Sequence, residues 1–200
     1  MALTKTTTLI DDWTAVAQND MVEFSTIDFT ATYAQAVLIQ AAIQPGVAHT
    51  AGTKFIVQVL GNTADDEDWA DLVSWVGLGG TADSDPITNA PLGSGETTIT
   101  IADTTGFTVN GLWRFIFESG TLANSELIRQ VGYTTNTNVV AVDGVKNSHV
   151  ATTPLWSIAN SWQISVPIEW PYARVVVVNT VVPAGAITYA KVRSAQVTAL

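Results

Sequence analysis

The sequence predicts an all-β protein, a sandwich or barrel of short strands, from three observations. Val, Ile and Thr make up about a third of the 200 residues, and β-branched side chains favour the pleated, half-buried surface of a sheet. Turn-forming pairs such as Pro45-Gly46, Asn110-Gly111 and Asp143-Gly144 interrupt the apolar segments. Short alternating segments at this spacing are typical of sandwiches and barrels.

The first part of the chain contains five predicted strands, at residues 6–10, 21–24, 33–43, 54–60 and 72–76. The segment 54–60 has the clearest pattern, because apolar and polar residues alternate as in a half-buried strand. The segment 33–43 is rich in Ala, Gln and Leu, which also favour helices. A strand is the preferred interpretation there.

Residues 77–95 are rich in Gly, Ser, Thr, Asp and Pro and predict a linker. Further strands are predicted at residues 97–101, 107–109, 112–117, 126–131 and 139–142, and then at 155–166, 172–179 and 187–197. We therefore expect an outer β-sandwich built from residues 1–91 and 155–200. Residues 92–154 are expected to form an inserted small β domain, a barrel or a set of hairpins.

The segment 174–178 (RVVVV) lacks polar alternation, which is typical of a strand covered on both faces. Such a Val-rich strand at an open sheet edge would pair with other molecules. We expect the last strands to be paired centrally or capped by another subunit.

Charge and composition exclude several classes of protein. The chain has 8 Lys and Arg against 18 Asp and Glu, a net charge of −10, and the cations are scattered, which argues against binding nucleic acid or an anionic membrane. No apolar run approaches the ~20 residues of a membrane-spanning helix. The N-terminus lacks the pattern of a secretory signal. The chain has no cysteine, which excludes disulfides, thiol nucleophiles and Cys-ligated metals.

The residues that could carry chemistry form no convincing constellation, and we predict no catalytic residue, cofactor or metal. His49 and His149 are far apart in the chain and are expected in turns or at strand ends. The acidic run 65–68, followed by Asp71, has the charge for calcium but not the ligand spacing of an EF-hand loop, so a solvated turn is preferred. A glycoside hydrolase would need a pair of carboxylates at fixed separation; the candidates are Glu118, Glu126, Asp143 and Glu169.

The seven tryptophans are the other prominent feature, and core packing is the default for each. They are Trp13, Trp69, Trp75, Trp113, Trp156, Trp162 and Trp170. Trp13 and Trp69 follow acidic residues directly, so we expect these two to be partly exposed contact residues. Tryptophans also stack on sugars, which keeps a carbohydrate-binding module open as an alternative.

Three segments together resemble a small β module of tailed-bacteriophage virion proteins. They are residues 96–107 (ETTITIADTTGF), 125–131 (SELIRQV) and 143–149 (DGVKNSH). They correspond to an alternating Thr strand with a Gly-Phe turn, a Glu-Leu-Ile-Arg strand, and a Gly turn ending in Ser-His. The resemblance covers about a third of the chain. The sequence departs from the module at Trp113 and in the extra residues 119–125. The flanking sequence, particularly 172–179, resembles phage capsid-associated or decoration sandwiches.

The resemblance implies a jelly-roll-like antiparallel sandwich and a non-enzymatic role on a capsid or tail, as a symmetric oligomer. The leading prediction is a capsid decoration or auxiliary protein that is assembled in the host cytoplasm and lies on the outer capsid surface, a vertex or the tail. The predicted partners are the major capsid protein or other virion proteins and further copies of the chain, with a trimer favoured. Alternatives are a receptor-binding or carbohydrate-binding module of a tail or fibre, and a glycan hydrolase.

The predicted contact residues are Ala2, Leu3, Thr4, Trp13 and Trp69. The first three belong to the Thr-rich segment 2–8, whose polarity suits an arm that becomes ordered on a neighbouring subunit.

Overall fold

A computed structural model describes residues 3–50, 52–61, 68–89, 91–180 and 185–199, which form sixteen strands and three single-turn 3-10 helices. The strands are β1 Leu3–Val16, β2 Asp20–Glu23, β3 Ile27–Asp28, β4 Ala34–Ile43, β5 Ala48–His49, β6 Thr53–Leu60, β7 Ala70–Val76, β8 Gly80–Thr81, β9 Ser84–Pro86, β10 Thr98–Thr100, β11 Trp113–Ile116, β12 Glu126–Thr134, β13 Val139–Val142, β14 Pro154–Val166, β15 Tyr172–Asn179 and β16 Thr188–Ala199. The helices are Thr105–Phe107, Leu122–Asn124 and Thr135–Thr137. Within these ranges, no helix has the length and apolarity needed to cross a membrane. The prediction of an all-β protein is confirmed.

Two antiparallel sheets form a sandwich. Sheet 1 has the order β1-β16-β4-β14, and sheet 2 has the order β2-β15-β6-β7, with β3 also paired to β15. Along the chain, the eight strands of these two orders alternate between the sheets, except that β6 and β7 both belong to sheet 2, and the first and last strands of the chain are neighbours. This is the strand order of an eight-stranded jelly roll, two Greek keys packed face to face. The predicted jelly-roll sandwich is confirmed.

The sandwich core consists mainly of aliphatic side chains on the inward faces of both sheets. In β6, Phe55, Val57 and Val59 point inward at 0 to 2% exposure, while the intervening residues point outward. In β15 the Val-rich segment is central, between β2 and β6, and Val176 on its outer face is only 4% exposed. The expectation of central pairing for the last strands is confirmed, since β16 also lies between β1 and β4.

The residues between β7 and β14 extend sheet 1 beyond the jelly roll, in the order β14-β11-β12-β13-β10. Their buried side chains form a second core, which consists of Ile87, Leu92, Ile99, Ile101, Phe107, Ile116, Ile128, Val140, Val142, Val145 and Leu155. We call residues 77–153 the insert. The division of the chain at residues 92 and 154 stays a prediction.

The predicted linker at residues 77–95 is wrong. This segment contains β8 and β9, and Ile87 and Leu92 are 1% and 0% exposed in the insert core. Leu92 also exchanges two main-chain hydrogen bonds with His149. The predicted strand at 107–109 is wrong too, because Thr105–Phe107 is a 3-10 turn that buries Phe107 completely.

The buried side chain of Arg114, in β11, links segments of the insert to one another and to β14. It is 2% exposed, and its guanidinium donates to Oε1 of Gln130 at 2.7 Å, to the carbonyl of Val109 at 3.0 Å and to the carbonyl of Ser157. Burial lowers the pKa of Arg114 to about 10. The guanidinium has neutral acceptors on three segments, and these replace water around the buried charge.

Strand β14 belongs to both cores. Its first half pairs with β11 and β9, and its second half pairs with β4 from Ala159 to Val166. An aromatic cluster fills the junction beside it, with Trp13 against Phe115 at 4.5 Å and Phe117 against Trp156 at 4.5 Å between ring centroids. The junction between jelly roll and insert is therefore tightly packed.

Candidate interaction surfaces

The predicted contact residues at the N-terminus lie on an ordered edge strand. Leu3 and Thr4 pair with Ala199 and Thr198 of β16. Ala2 lies outside the described residues. The hypothesis of an arm that becomes ordered only on a neighbouring subunit is wrong for residues 3–8, because their main chain already pairs with β16. Among the described residues, the other side of β1 has no paired strand, so its outward main-chain groups form an open edge.

Trp13 is buried, and the expectation that it is partly exposed is wrong. It is 5% exposed, and its indole nitrogen donates to the carbonyl of Ser125 at 2.8 Å. Two bulges in β1, around Asp11 and before Thr14, break the alternation of the strand. They let Asp12 face Lys191 while Trp13 enters the aromatic cluster. Its role in protein contacts stays a prediction.

Trp69 is half-buried, with the guanidinium carbon of Arg174 lying 4.4 Å from its ring centroid. Its role in contacts is also untested and stays a prediction. Of the seven tryptophans, Trp13 and Trp156 are buried and the other five are half-buried. No indole is fully open as a platform for stacking a sugar ring.

Three of the titratable residues considered above meet in a buried cluster in the insert. The ring of His149, whose side chain is 0% exposed, lies between two carboxylates: Nδ1 is 3.0 Å from Glu118 and Nε2 is 2.9 Å from Glu126. The carboxylate of Glu126 also accepts hydrogen bonds from the main-chain N–H groups of Lys146 and Asn147. We call Glu118, Glu126 and His149 the histidine cluster.

The electrostatics of the histidine cluster favour a protonated imidazole. Burial by itself would lower the pKa of His149, but the hydrogen bonds and charges of Glu126 and Glu118 outweigh it, so the pKa is raised. The expectation of a plain turn histidine is wrong, because this side chain joins the loop after β11, the start of β12 and the segment before β14. Both carboxylates face the imidazole instead of a shared cleft.

The other predicted carboxylates lie elsewhere. Asp143 accepts the main-chain N–H of Arg129 at 2.9 Å, and Glu169 is exposed beyond β14. Residues 65–67 of the acidic run lie outside the described residues, while Asp68 is exposed and Asp71 accepts a hydrogen bond from Gln58 at 2.8 Å. Within the described ranges, no group of three or more His, Asp or Glu residues could hold a metal ion.

His49 is buried without the partners that His149 has. It is 3% exposed, and neither ring nitrogen has a hydrogen bond of good geometry to a described residue, although the main chain of Gln44 interacts with the ring. Burial lowers the pKa of His49, and the Gln44 main chain offsets this only in part. The side-chain oxygen of Gln44 is also buried and unpaired. The strand-end position was predicted correctly, since His49 ends β5, but the burial was not.

A cationic pocket, which the sequence did not reveal, lies between sheet 1 and the insert. It has a volume of about 180 Å³, and Lys146, Lys191 and Arg193 line it together with Trp13, Gln40 and Glu126. Lys191 and Arg193 alternate along β16, so their shared face could have been predicted from the sequence. Lys146 comes from the segment after β13, and only the fold brings it to the other two.

Comparisons with known proteins give no family. No protein-family model matches the chain, and no curated protein matches it. Among solved structures, VP17, a capsid protein of bacteriophage P23-77, is 11% identical over 100% of both chains, with a TM-score of 0.20. The VP16-VP17 complex of the two major capsid proteins of that phage gives 10% identity over 96% of this chain and 99% of that chain, with a TM-score of 0.20.

A VP2 protein of infectious bursal disease virus is 13% identical, with a TM-score of 0.22, and the match covers 98% of this chain and 40% of VP2. All of these neighbours are viral capsid proteins. TM-scores of this size establish neither a shared fold nor a shared role, so the strand order described above stands on its own.

Proposed function

We propose that the chain is a non-enzymatic structural protein of a tailed-bacteriophage virion, a capsid decoration or auxiliary protein that binds the major capsid protein. The observation that carries the proposal is the strand order of the jelly roll, an architecture used by viral capsid proteins and by lectin and cupin domains. Proteins of unrelated function share this architecture. The resemblance of the insert to a phage virion module favours the capsid among these classes.

The surface of the molecule supports an assembly role over a lectin role. Charged residues are only 13% of the chain, about half the usual share. Its exposed large apolar side chains include Val76 at 61% and Met21 at 56% on sheet 2 and Val131 at 56% on the insert. Neighbouring subunits would cover such positions. A lectin that stacks sugars would present an open indole, and all seven here are at least half-buried.

The open edge of β1 suits attachment to another subunit, because unpaired main-chain groups can add a strand from a partner. A net charge of −10 makes contact with packaged DNA unfavourable. We therefore propose the outer surface of the capsid, a vertex or the tail as the location, with assembly in the host cytoplasm and a trimer as the favoured oligomer.

The proposal is tested by immunogold electron microscopy of particles of the phage that encodes the chain, with antibody raised against the purified protein. We expect gold particles on the capsid at regularly repeated positions. Label at the tail tip would replace the decoration role with receptor binding. Absence of label from intact particles, with the protein found only in the soluble lysate, would overturn the virion assignment.

A further inference from the structure

The cationic pocket concentrates positive charge on an acidic protein. Three of the eight cations of the chain line it. Two carboxylates are nearby, Asp12 and Glu126, so the pocket keeps one net positive charge while the whole chain has −10. Such a local reversal of sign attracts anions and repels other cations.

Both nearby carboxylates already have partners. Asp12 pairs with Lys191 at 2.6 Å and accepts the main-chain N–H of Trp13 at 2.8 Å. Burial alone would raise the pKa of Asp12, but Lys191, this N–H and the charge of Arg193 together outweigh it, so the pKa is lowered. Glu126 is paired with His149 and accepts hydrogen bonds from the main-chain N–H groups of Lys146 and Asn147. Neither carboxylate forms a direct ion pair with Arg193, although the charge of Arg193 acts on Asp12 from a greater distance.

Arg193 is the unsatisfied group of the pocket. Its Nε is buried and has no hydrogen-bond partner, and none of the ion pairs between described residues includes it. A buried donor without an acceptor costs about 1–3 kcal/mol, and more when it is charged. Lys146 beside it has an exposed side chain that also takes part in none of those ion pairs. Two cations therefore face the same cavity without a direct ion pair to a carboxylate of this chain.

We propose that the cationic pocket binds an Asp or Glu side chain of a second copy of this chain, with Arg193 as the principal donor and Lys146 at the rim. A planar guanidinium binds a carboxylate through two parallel hydrogen bonds, which gives the contact direction as well as strength. The occupant follows from composition, since 18 Asp and Glu against 8 cations make a carboxylate the most abundant charged group that another copy offers.

This inference rests on the proposed assembly function, and it deepens it by naming a contact. Trp13 and Leu127 line the same pocket, and Trp13 is fixed by its hydrogen bond to Ser125. Trp13 is therefore a fixed aromatic side chain in a lining that is otherwise mostly polar. In this arrangement Trp13 forms part of the pocket that receives the carboxylate of the second copy.

The experiment measures self-association by sedimentation equilibrium for the wild type and for three variants. We expect the wild type to associate and Arg193→Gln to raise the dissociation constant at least about tenfold. Lys146→Gln, an exposed change that leaves the fold unaffected, should raise it by a smaller factor. The matched control is Arg129→Gln, which removes an exposed guanidinium from β12 outside the pocket and should leave association unchanged.

A competition arm tests the chemistry of the occupant. At equal ionic strength, sodium acetate should dissociate the wild type more than sodium chloride does, and this difference should disappear in Arg193→Gln. A wild type that stays monomeric at every concentration would overturn the inference, as would an Arg193→Gln variant that associates normally. If Arg129→Gln weakened self-association as much as Arg193→Gln does, overall charge and not the pocket would control association, and the inference would be overturned. Gold labelling of capsids is independent of all these results, so the inference and the virion assignment can fail separately.

Discussion

His149 and His49 are buried to nearly the same degree, at 1% and 3% exposure, but they differ in the hydrogen-bond partners around them. His149 lies in the insert between two carboxylates, and both ring nitrogens are paired. His49 lies at the end of β5, opposite Gly80 of β8, and neither of its ring nitrogens has a described partner. Burial alone would lower both pKa values. The carboxylates reverse its effect at His149 only.

The partners of a buried histidine, more than its burial, therefore decide what it contributes to stability. A paired imidazolium between carboxylates joins segments, and removing it leaves two charges unsatisfied. An unpaired neutral imidazole adds volume but leaves polar atoms without hydrogen bonds. The two histidines should therefore respond in opposite ways to the same substitution.

The largest effect is expected from His149→Leu. The change removes the proton donor shared by Glu118 and Glu126 and leaves both carboxylates facing an apolar side chain. We expect a loss of about 3 kcal/mol in the free energy of unfolding, measured by urea denaturation with tryptophan fluorescence. A loss below about 0.5 kcal/mol, the usual size for a surface substitution, would show that the histidine cluster does not hold the insert together.

Glu126→Gln should have the next largest effect, about 2 kcal/mol of destabilisation. The amide cannot accept all the hydrogen bonds that Lys146, Asn147 and His149 donate to the carboxylate. The same variant should lower the pKa of His149, which a histidine NMR titration measures directly. Glu169→Gln is the control, because Glu169 is exposed. An unchanged His149 titration in Glu126→Gln would contradict the assigned contacts.

His49→Leu should be neutral or should stabilise the protein by up to about 1 kcal/mol. Leucine has a similar volume and replaces two buried nitrogens that have no described partner, so the cost of their desolvation disappears. Thermal denaturation of this variant beside His149→Leu compares the two regions directly. Destabilisation of equal size in the two variants would remove the distinction between them.

The smallest effect is a difference in pH dependence on the two sides of about pH 6.5. The raised pKa of His149 gives stability that is fully present below about pH 6.5 and is lost as the pH rises through the folded-state value. The advantage of the wild type over His149→Leu should therefore shrink towards pH 9. The lowered pKa of His49 acts oppositely, so the wild type should lose stability relative to His49→Leu as the pH falls below about 6.5. Parallel profiles for all three proteins would contradict both pKa shifts.

The sequence predicted the strands of the jelly roll well because periodicity is a local property. The segment 54–60 became β6 with the expected faces, and 172–179 became β15 with the expected ends. The composition of residues 77–95 led to a wrong prediction. Their Gly, Asp and Pro content predicted a linker, but two apolar side chains, Ile87 and Leu92, were enough to fix the segment to the insert core.

The residues of the candidate sites were harder to predict because they depend on contacts between distant segments. Trp13 follows two aspartates, and only the bulges in β1 show that it turns away from them. Glu118, Glu126 and His149 come from three segments of the insert, and nothing in their spacing indicates that a histidine lies between the carboxylates. Alternation alone could have placed Lys191 and Arg193 on one face, but Lys146 required the fold.

The continuity of β14 has a mechanical consequence. One unbroken backbone runs from the insert, where it pairs with β11, into the jelly roll, where it pairs with β4. A pull exerted on the insert would load this strand in shear against its hydrogen-bonded neighbours. Shear must break many of those bonds at once, so we expect β14 to resist such a pull more strongly than a force that separates the strands one hydrogen bond at a time.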